Sequence, residues 1–437
     1  MNRFPLTAVL AAVLLLPLAS GADASGYAKA TQVSRCGGPR NAEPVQAASG
    51  SYVYEAWIGC KGIGFARSTN GGKTFGSSIT VRGSRVIGEH SWDPAITVAP
   101  NGDVYVAYMI GPEEGFGGTD PMLPVVAVSH NHGKSFARAT VLPIPSSGHP
   151  NFGDRPFIAV GPNGAVYLTW DYGPRRDEDQ IICPPSSSCY FGAGDFNAVF
   201  QKSTDGGKTW TDLAPISPDY PLGGVFSAPI VAEPNGALDV LYWQHPTDPD
   251  TFAISPGREY FIRSTDGGNS WSDPVLVGPQ ARQISVKTWW IDGSLAVDSA
   301  GTLYAAWDTQ HGGRDTAWLA RSTNHGASWS SGVQVASSTT EHLTQVTVAG
   351  RGNVYVAWQT IVPHKGYATF LRRYSVGHGW TGAAKKISPA YGNAEIWPGD
   401  TLGLSARNGT AFVSWGSAIN KPTASSIWFA KSKLPAR

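Results

Sequence analysis

The sequence predicts an all-β protein in which about seven similar four-stranded antiparallel sheets form a ring, the architecture called a β-propeller. Three observations predict it. One short turn motif recurs five times, one short strand ending in an aromatic recurs about seven times, and both repeat with a period close to 60 residues. The composition agrees, because a fold of many short strands needs many turns and the 437 residues include 52 Gly and 32 Pro.

The recurring turn reads Ser-x-Asp/Asn-x-Gly-x-Ser/Thr-aromatic, and each part suits a tight hairpin. The Asp or Asn side chain can bond to the backbone two residues on, and Gly supplies a positive φ. We expect the aromatic residue to fasten the turn against the sheet. Successive copies begin 58 to 74 residues apart, at residues 68–75, 129–136, 203–210, 264–271 and 322–329.

The recurring strand alternates apolar and small residues, as a strand in a packed sheet should. Its copies are residues 51–57, 103–108, 165–170, 237–243, 302–307, 353–358 and 410–415. Another apolar strand precedes most copies through a Pro-Asn-Gly or similar turn, a third strand leads into the turn motif, and a fourth follows it. These repeats predict seven blades, with six as the alternative.

The two ends of the ring must also meet. The seventh repeat ends after its third strand, at residues 427–431. We expect the N-terminal segment around Ala30 to Ser34 to supply the missing outer strand, because closure spares the ring an exposed edge.

The N-terminus predicts secretion. Arg3, an apolar run over residues 6–18 and the Ala22-Asp23-Ala24 site form a signal peptide over residues 1–24. The run is too short for a comfortable transmembrane helix, and no later stretch is long enough for one. We therefore expect an extracellular protein whose residues 25–437 form a single domain.

Four cysteines in an oxidising compartment predict two disulfides. Cys183 and Cys189 bracket a short loop, so their pairing is favoured, and Cys36 and Cys60 then pair by elimination. Charge is sparse and balanced, with 33 Lys and Arg against 32 Asp and Glu. This balance argues against a nucleic-acid partner, which would favour a basic patch. A monomer is expected.

The recurring turn resembles the Asp-box of the sialidase-like (BNR repeat) propellers, and the resemblance covers nearly the whole mature chain. It implies a carbohydrate-active protein, with a glycan or glycoconjugate as partner and a glycoside hydrolase acting on an acidic sugar such as a sialic acid. Sialidases use a Tyr nucleophile helped by a Glu, an Asp acid/base and three arginines. Their Arg-Ile-Pro motif before the first turn is absent here, although Arg35 and Arg40 precede that turn. Asp154-Arg155-Pro156 is loosely similar to it, and Arg258-Glu259-Tyr260 and Tyr391 offer a Glu and tyrosines.

The repeat order predicts which face carries function. The turn motifs share one face with the turns between first and second strands, so the segments entering the first strands and the longer loops lie on the other face. An acid recurs just before the first strand in five blades, as Glu43, Asp93, Asp154, Asp292 and Asp400. These acids either accept bonds from backbone N–H groups of a neighbouring blade or serve as general acid, base or cation ligands. Arg155, Lys287 or a cation such as Ca²⁺ is expected to compensate their charge.

The candidate site residues follow from this face. The catalytic candidates are His90, Asp93, Asp154, Arg155, Asp292 and Arg314. The substrate-binding candidates are Trp92, His149, Trp290, Asp308, His311, Trp397 and Asp400. A Trp beside an acid suits a pyranose-stacking subsite, and an acid, an imidazole and a guanidinium in one loop suit a carboxylated sugar. Packing between blades and a solvated polar loop are the alternatives.

Two other function classes stay open. Polysaccharide lyases that cleave uronate-containing chains use His or Tyr to remove the C5 proton and Arg or a metal to neutralise the carboxylate. The residues available for that role are His90, His149, His245, His311, His342 and Tyr172. A non-catalytic propeller that binds glycans or proteins is the third class.

Overall fold

A computed structural model describes residues 30–36, 40–81, 90–111, 121–145, 151–174, 181–182, 190–191, 197–218, 223–246, 257–278, 293–311, 314–338, 342–348, 350–419 and 423–433. Within these ranges all regular structure is β, and no helix there is long and apolar enough to span a membrane. The signal-peptide prediction falls on residues outside these ranges.

The strands form seven antiparallel blades in a ring, so seven blades are confirmed over the alternative of six. The short strand β1 (Thr31–Gln32) comes first. Blade 1 contains β2 (Ala42–Ser49), β3 (Tyr52–Ile58), β4 (Ile63–Ser68) and β5 (Ile79–Val81), and blade 2 contains β6 (His90–Val98), β7 (Val104–Gly111), β8 (Leu123–Ser129) and β9 (Thr140–Val141). Blade 3 contains β10 (Asn151–Val160), β11 (Val166–Pro174), β14 (Asn197–Ser203) and β15 (Ala214–Pro215), and the hairpin of β12 (Ile181–Ile182) and β13 (Tyr190–Phe191) lies between β11 and β14 in the chain.

Blades 4 to 7 complete the ring. Their strands are β16 (Gly223–Phe226), β17 (Ile230–Ala232), β18 (Leu238–Pro246), β19 (Arg258–Ser264) and β20 (Val275–Leu276) in blade 4, β21 (Ser294–Val297), β22 (Leu303–His311), β23 (Arg314–Ser322) and β24 (Val333–Ser338) in blade 5, β25 (His342–Val348), β26 (Asn353–Val362), β27 (Gly366–Ser375), β28 (Gly379–Trp380) and β29 (Lys385–Lys386) in blade 6, and β30 (Gly403–Arg407), β31 (Thr410–Ser417) and β32 (Ser426–Lys433) in blade 7.

The ring closes through its N-terminal segment, as the sequence predicts. Strand β1 pairs antiparallel with β32 and becomes the outer strand of blade 7. A disulfide joins Cys36 to Cys60 across 5.1 Å between their Cα atoms, which ties this segment to blade 1. Both the closure and this disulfide are confirmed. Cys183 and Cys189 lie outside the described residues, so their pairing stays a prediction.

The recurring turns are held by their Ser and Asp/Asn side chains. In the turn at residues 68–75, the Ser68 hydroxyl donates to Asn70 Oδ1 at 2.9 Å and accepts from the Gly72 N–H at 2.9 Å. Asn70 Oδ1 also accepts from the N–H groups of Lys73 and Thr74, both at 3.0 Å. The side chain therefore bonds to the backbone three and four residues on, not two as predicted, because Ser68 anchors the start of the turn.

The aromatic residue that ends the turn motif joins neighbouring blades. Phe136 in blade 2 meets Phe65 of blade 1 edge to face, with ring centroids 4.8 Å apart. Trp271 in blade 4 meets Phe200 of blade 3 in the same way at 5.4 Å. Each turn is thus fastened to the preceding blade, and such aromatic pairs contribute beyond their burial.

The two faces of the ring are arranged as predicted. His130, in the turn after β8, lies 3.0 Å from Asp103, in the turn between β6 and β7. The recurring turns and the turns between first and second strands therefore share one face. The starts of the first strands lie at the opposite face, where His90 pairs with Gly111 at the far end of β7.

A buried glutamate links the closing blade to blade 1. Glu55 on β3 is fully buried and accepts from Gln46 Nε2 at 2.7 Å and from the Ser414 hydroxyl of blade 7 at 2.6 Å. Burial raises the pKa of Glu55 to about 8, although both hydrogen bonds lower it. The side chain is therefore largely protonated at neutral pH.

Candidate functional site

Three of the recurring acids, Glu43, Asp93 and Asp154, lie inside the first strands at β-bulges, whereas Asp400 lies in the segment before β30 as predicted. The register of blade 1 shifts between Ala42 and Val45, that of blade 2 between Trp92 and Ala95, and that of blade 3 between Asp154 and Phe157. A proline follows each bulged residue and cannot donate to the ladder, so the strand breaks there.

Three bulged residues have left-handed backbone conformations. The φ angles are +53° at Glu43, +47° at Asp93 and +48° at Arg155. Such values are uncommon for residues other than Gly and cost free energy, so the surrounding packing must hold them. The bulges turn these side chains toward the axis at one end of the central channel.

Four carboxyl groups and one guanidinium meet at this end of the channel, and we call them the Glu43 cluster. Its members come from four consecutive blades of the ring: Glu43 from blade 1, Asp93 from blade 2, Asp154 and Arg155 from blade 3, and Asp400 from the segment leading into blade 7. Carboxylate oxygens of Glu43, Asp93 and Asp400 lie within 4.8 Å of one another. Glu43 is 2% exposed and Asp400 is 7% exposed, so the cluster is largely removed from water.

Arg155 organises the cluster through its side chain and its backbone. Its Nη2 donates to Asp400 Oδ2 at 3.0 Å, and its Nε lies 3.9 Å from Asp154 Oδ2. Its backbone N–H donates to Asp93 Oδ2 at 3.2 Å. Asp93 thus accepts a bond from the backbone of a neighbouring blade, and the guanidinium of Arg155 lies among the carboxyl groups that were expected to need a compensating charge.

The cluster shifts the pKa values of Glu43, Asp93 and Asp154 in different directions. Burial, the charge of Asp93 and a hydrogen bond with Asp93 raise the pKa of Asp154 well above its usual range. Burial and the charges of Asp400 and Asp93 do the same for Glu43. Burial opposes ionisation of Asp93, but hydrogen bonds with Asp154 and Glu43 and the Arg155 guanidinium outweigh it and lower its pKa. Asp93 therefore loses its proton more readily than Glu43 and Asp154 do.

A cavity of about 480 Å³ runs along the axis of the ring, lined by the first strands of all seven blades. Its volume lies within the range of small-molecule pockets, roughly 300–1,000 Å³. Asp93 and Arg155 line it, so the ionised carboxylate and the guanidinium are the cluster members that a bound molecule would meet there.

The cluster offers a hard cation only part of a coordination shell. Glu43, Asp93 and Asp400 each supply one oxygen, and the buried Glu43 Oε2 and Asp400 Oδ1 accept no hydrogen bond from the described residues. Calcium takes about six to eight oxygen ligands, however, and Arg155 already neutralises Asp400. The residues do not fit a calcium site well, and we assign no step to a metal.

Trp92 and His90 lie beside the cluster in different environments. Trp92 is 8% exposed, and its Nε1 donates to Asp154 Oδ1 at 2.9 Å. It therefore packs between blades 2 and 3, the alternative to a stacking subsite. His90 is exposed at the start of β6, and its ring lies 5.4 Å from that of Trp92.

The structure leaves other predicted residues apart from the cluster. Asp308 is 9% exposed and Arg314 is exposed, both on blade 5, which lies across the ring from blades 1 and 2. Trp397 is 40% exposed in the segment before Asp400. His149, Trp290 and Asp292 lie outside the described residues, as does Lys287, and the backbone alone is described for His311.

Glu43 belongs to the cluster, although the sequence places it only among the recurring acids and not among the site residues. The signal that finds it is the proline after it. A bulge with a positive φ occurs at Glu43-Pro44, Asp93-Pro94 and Arg155-Pro156. A position directly before such a proline therefore identifies these three cluster members, whereas a search for acidic residues alone does not find Arg155.

The comparisons with known proteins match this chain by its fold. No protein family and no curated protein matches the sequence. A polysaccharide lyase of family PL25, an ulvan lyase, matches with a TM-score of 0.57 and 14% identity, over 92% of this chain and 94% of its own. One structure of that lyase is bound to -[GlcA(1-4)Rha3S]-.

Sialidases match over a similar extent. The NanB sialidase from Streptococcus pneumoniae gives a TM-score of 0.53 and 8% identity, over 88% of this chain and 83% of its own. The intramolecular trans-sialidase from Ruminococcus gnavus, in complex with oseltamivir carboxylate, gives 0.50 and 11%, over 80% and 96%. At these identities the likeness concerns the fold, and the chain is a seven-bladed β-propeller with the sialidase-like fold.

Proposed function

We propose that this protein is an extracellular carbohydrate-active propeller that hydrolyses glycosides of an acidic sugar at the Glu43 cluster. The observation that carries the proposal is the pair of Asp93 and Asp154 beside Arg155, whose backbone N–H donates to Asp93 at 3.2 Å and whose Nε lies 3.9 Å from Asp154. In this pair the pKa of Asp93 is lowered, whereas burial and the charge of Asp93 raise the pKa of Asp154. Environments that push two pKa values apart identify acid and base partners. The fold neighbours support the sugar class, since they are sialidases and a lyase bound to a glucuronate-containing chain.

The pair can serve glycoside hydrolysis as a unit that holds one proton. Asp154 holds this proton behind Asp93, which lines the cavity and passes the proton to the leaving glycosidic oxygen. After the leaving group departs, the attacking water gives a proton back to the pair through Asp93, so the protons balance over a turnover. Arg155 lines the cavity beside Asp93 and offers a positive charge to the carboxylate of an acidic sugar.

A lyase acting on uronate chains is the second candidate. The match to the ulvan lyase covers more of this chain than the matches to the two sialidases do, and its TM-score is higher. Among the residues considered for proton abstraction, His90 is exposed and lies next to Trp92, which bonds to Asp154. A binding propeller without catalysis is the third.

The test uses the mature protein with two kinds of substrate. One is a sialyl aryl glycoside, where release of the aglycone shows hydrolysis. The other is a set of uronate polysaccharides, where new absorbance from a 4,5-unsaturated product shows elimination. We expect release of the aglycone, and elimination alone would replace the hydrolase by the lyase. Glycan binding with neither hydrolysis nor elimination would favour the third candidate, a binding propeller without catalysis.

The variants D93N and D154N locate the site. Each removes one ionisable member of the pair at nearly constant volume, and we expect turnover to fall at least a hundredfold. D103N is the matched control, because Asp103 lies on the opposite face beside His130. Turnover that survives both D93N and D154N would place the reaction elsewhere.

A further inference from the structure

Blade 6 carries a concentration of positive charge that the balanced composition of the whole chain hides. Residues 342–394 contain no Asp or Glu, although the full chain has 32 of them. The same stretch contains six basic residues, namely Arg351, Lys365, Arg372, Arg373, Lys385 and Lys386. A local excess of one sign raises the concentration of opposite charge near that surface.

Two of these lysines meet at one aromatic ring. Lys365 Nζ lies 5.6 Å and Lys386 Nζ 4.5 Å from the centroid of the Tyr391 ring. Both lysines are exposed, and Tyr391 is half-buried. Attraction between an ammonium group and an aromatic face holds the two charges close together at the surface.

The backbone keeps this group in place. Lys365 lies in the hairpin between β26 and β27, and Lys386 lies on the outer strand β29. Next to Tyr391, Gly392 exchanges two backbone hydrogen bonds with Tyr367 of β27, at 3.0 and 2.9 Å. Lys365, Lys386 and Tyr391 are thus all attached through the backbone to the sheet of blade 6.

The neighbouring Arg372 and Arg373 make contacts within the protein instead. Arg372 donates to the carbonyl oxygens of Val335 and Gly382, and its guanidinium lies 4.4 Å from the Trp380 ring centroid. Arg373 is 7% exposed, with its guanidinium over the Tyr355 ring. Arg351 is exposed but lies in the turn between β25 and β26 on the opposite face, so the lysine pair at Tyr391 is the exposed charge of this stretch on the face where the first strands begin.

The lysine pair lies on the same face as the Glu43 cluster. The hairpin that carries Lys365 joins a second strand to a third strand, and such hairpins lie at the end of the ring where the first strands begin. From Tyr391 the chain continues to Trp397, the one large apolar side chain that is exposed among the described residues, and then to Asp400. Charge and aromatic surface therefore lead from the edge of blade 6 toward the mouth of the channel.

We propose that Lys365, Tyr391 and Lys386 form an accessory binding site for an anionic polysaccharide, outside the channel. The ammonium groups would pair with carboxylate or sulfate groups, and Tyr391 and Trp397 would contact sugar rings. Two lysines around one ring suit a chain with spaced charges, whereas nucleic acid favours a longer basic stripe. The choice of ligand rests on the proposed function, but the site binds whether or not the cluster catalyses.

Binding measured without turnover tests this site. The probes are heparin as a sulfated uronate chain, polygalacturonate as an unsulfated one, dextran as a neutral one and single-stranded DNA of matched charge. The full-length D93N variant carries the surface changes, so cleavage does not consume the probes. We expect the additional change K365A/K386A to weaken binding of at least one uronate chain about fivefold or more at 50 mM NaCl, and the effect to shrink at 200 mM.

Controls separate this site from general charge. K134A/K208A removes two exposed lysines from the recurring turns on the opposite face and should change affinity less than twofold. Y391F keeps the ring and should keep binding, whereas Y391A should weaken it. Absence of binding to both uronate chains, indifference to K365A/K386A, or equal binding of DNA would overturn the proposal. Because no turnover enters these measurements, failure of the hydrolase proposal leaves their outcome unchanged.

Discussion

The indole of Trp92 in blade 2 donates a hydrogen bond to Asp154 in blade 3, with 2.9 Å between Nε1 and Oδ1. Trp92 is 8% exposed, so the bond forms away from bulk water, where a lost partner is costly. Burial and the charge of Asp93, which lines the channel, raise the pKa of Asp154. Trp92, which the sequence suggests as a sugar-stacking residue, thus positions Asp154 behind the cavity.

The change W92F tests this positioning role. It keeps an aromatic ring but removes the N–H, which leaves Asp154 without one buried donor. We expect the free energy of unfolding to fall by about 1–3 kcal/mol and kcat to fall at least tenfold, with a smaller change in KM. Urea denaturation and steady-state kinetics on the substrate identified for the wild type measure the two effects.

A second tryptophan provides the control. Trp57 is fully buried, and its Nε1 donates at 2.9 Å to Asn41 Oδ1, which is not a member of the cluster. W57F should cost similar stability and leave kcat within twofold. If W57F and W92F lower kcat equally, Trp92 acts only through stability.

The disulfide gives a prediction about ring closure. Cys36 and Cys60 are 24 residues apart, and a crosslink of that length restricts the unfolded chain by about 3 kcal/mol in the chain-entropy account. The double change C36S/C60S should lower the free energy of unfolding by roughly that amount. It should also raise hydrogen exchange at Ile427 and Phe429, where β1 and the segment after it meet β32. Stability and exchange equal to the wild type would show that β1 closes the ring unaided.

The scaffold could be predicted from the sequence because its signals are local and repeated. Each copy of the turn motif, such as the one at residues 68–75, contains its own Ser, Asp/Asn and Gly, and seven strands repeat at one period. An error in the reading of one copy therefore does not change the predicted number of blades. Closure by residues 30–34 follows from the missing strand of blade 7. These inferences need no knowledge of contacts between distant residues.

The cluster could be predicted only in part, since it depends on how four blades meet. The recurrence of Asp93, Asp154 and Asp400 is visible in the sequence, but the bond between Arg155 and Asp400 joins residues 245 positions apart. The opposite pKa shifts of Asp93 and Asp154 likewise depend on burial and on their neighbours in the fold, which no local pattern reports. The bulges at residues before proline were the available signal for Glu43.

The adjacent glycines of the first turn separate backbone strain from packing. Gly71 and Gly72 have φ angles of +67° and +71°, so alanine is strained at both. A Cβ on Gly71 would meet nothing within 4 Å, whereas one on Gly72 would lie 2.5 Å from Phe429 of blade 7. We expect G71A to cost about 1 kcal/mol and G72A at least about 2 kcal/mol more, because overpacking adds to the strain.

Chemical denaturation of both variants measures the difference. The pair is matched in turn, substitution and φ, so the excess cost of G72A reports the contact between the turn and the preceding blade. Equal costs would show that Phe429 moves aside freely and that the turns do not fasten neighbouring blades.

Glu55 makes the stability of the ring depend on pH. Its pKa is about 8 in the folded protein, against 4.5 as the ordinary value, because burial disfavours the charged form. Glu55 binds its proton more tightly in the folded state than in the unfolded state. Its contribution to the free energy of unfolding is therefore fully present below about pH 4.5 and is lost as pH rises toward 8. The neutral, nearly isosteric E55Q lacks this titration. We expect E55Q to gain stability relative to the wild type by several kcal/mol between pH 5 and pH 9, since each pKa unit corresponds to about 1.4 kcal/mol.

The Ser414 hydroxyl offers a second variant that moves the same titration. It donates to Glu55 Oε2 at 2.6 Å and lowers the pKa of that carboxyl group. S414A should therefore raise the pKa further, so that the loss of stability occurs at higher pH than in the wild type. Urea denaturation of the wild type, E55Q and S414A at several pH values between 4 and 9 measures all three profiles. Because Glu43 and Asp154 titrate in each protein, the differences between profiles isolate Glu55, and a constant difference across this range would mean that Glu55 is already ionised in the folded ring.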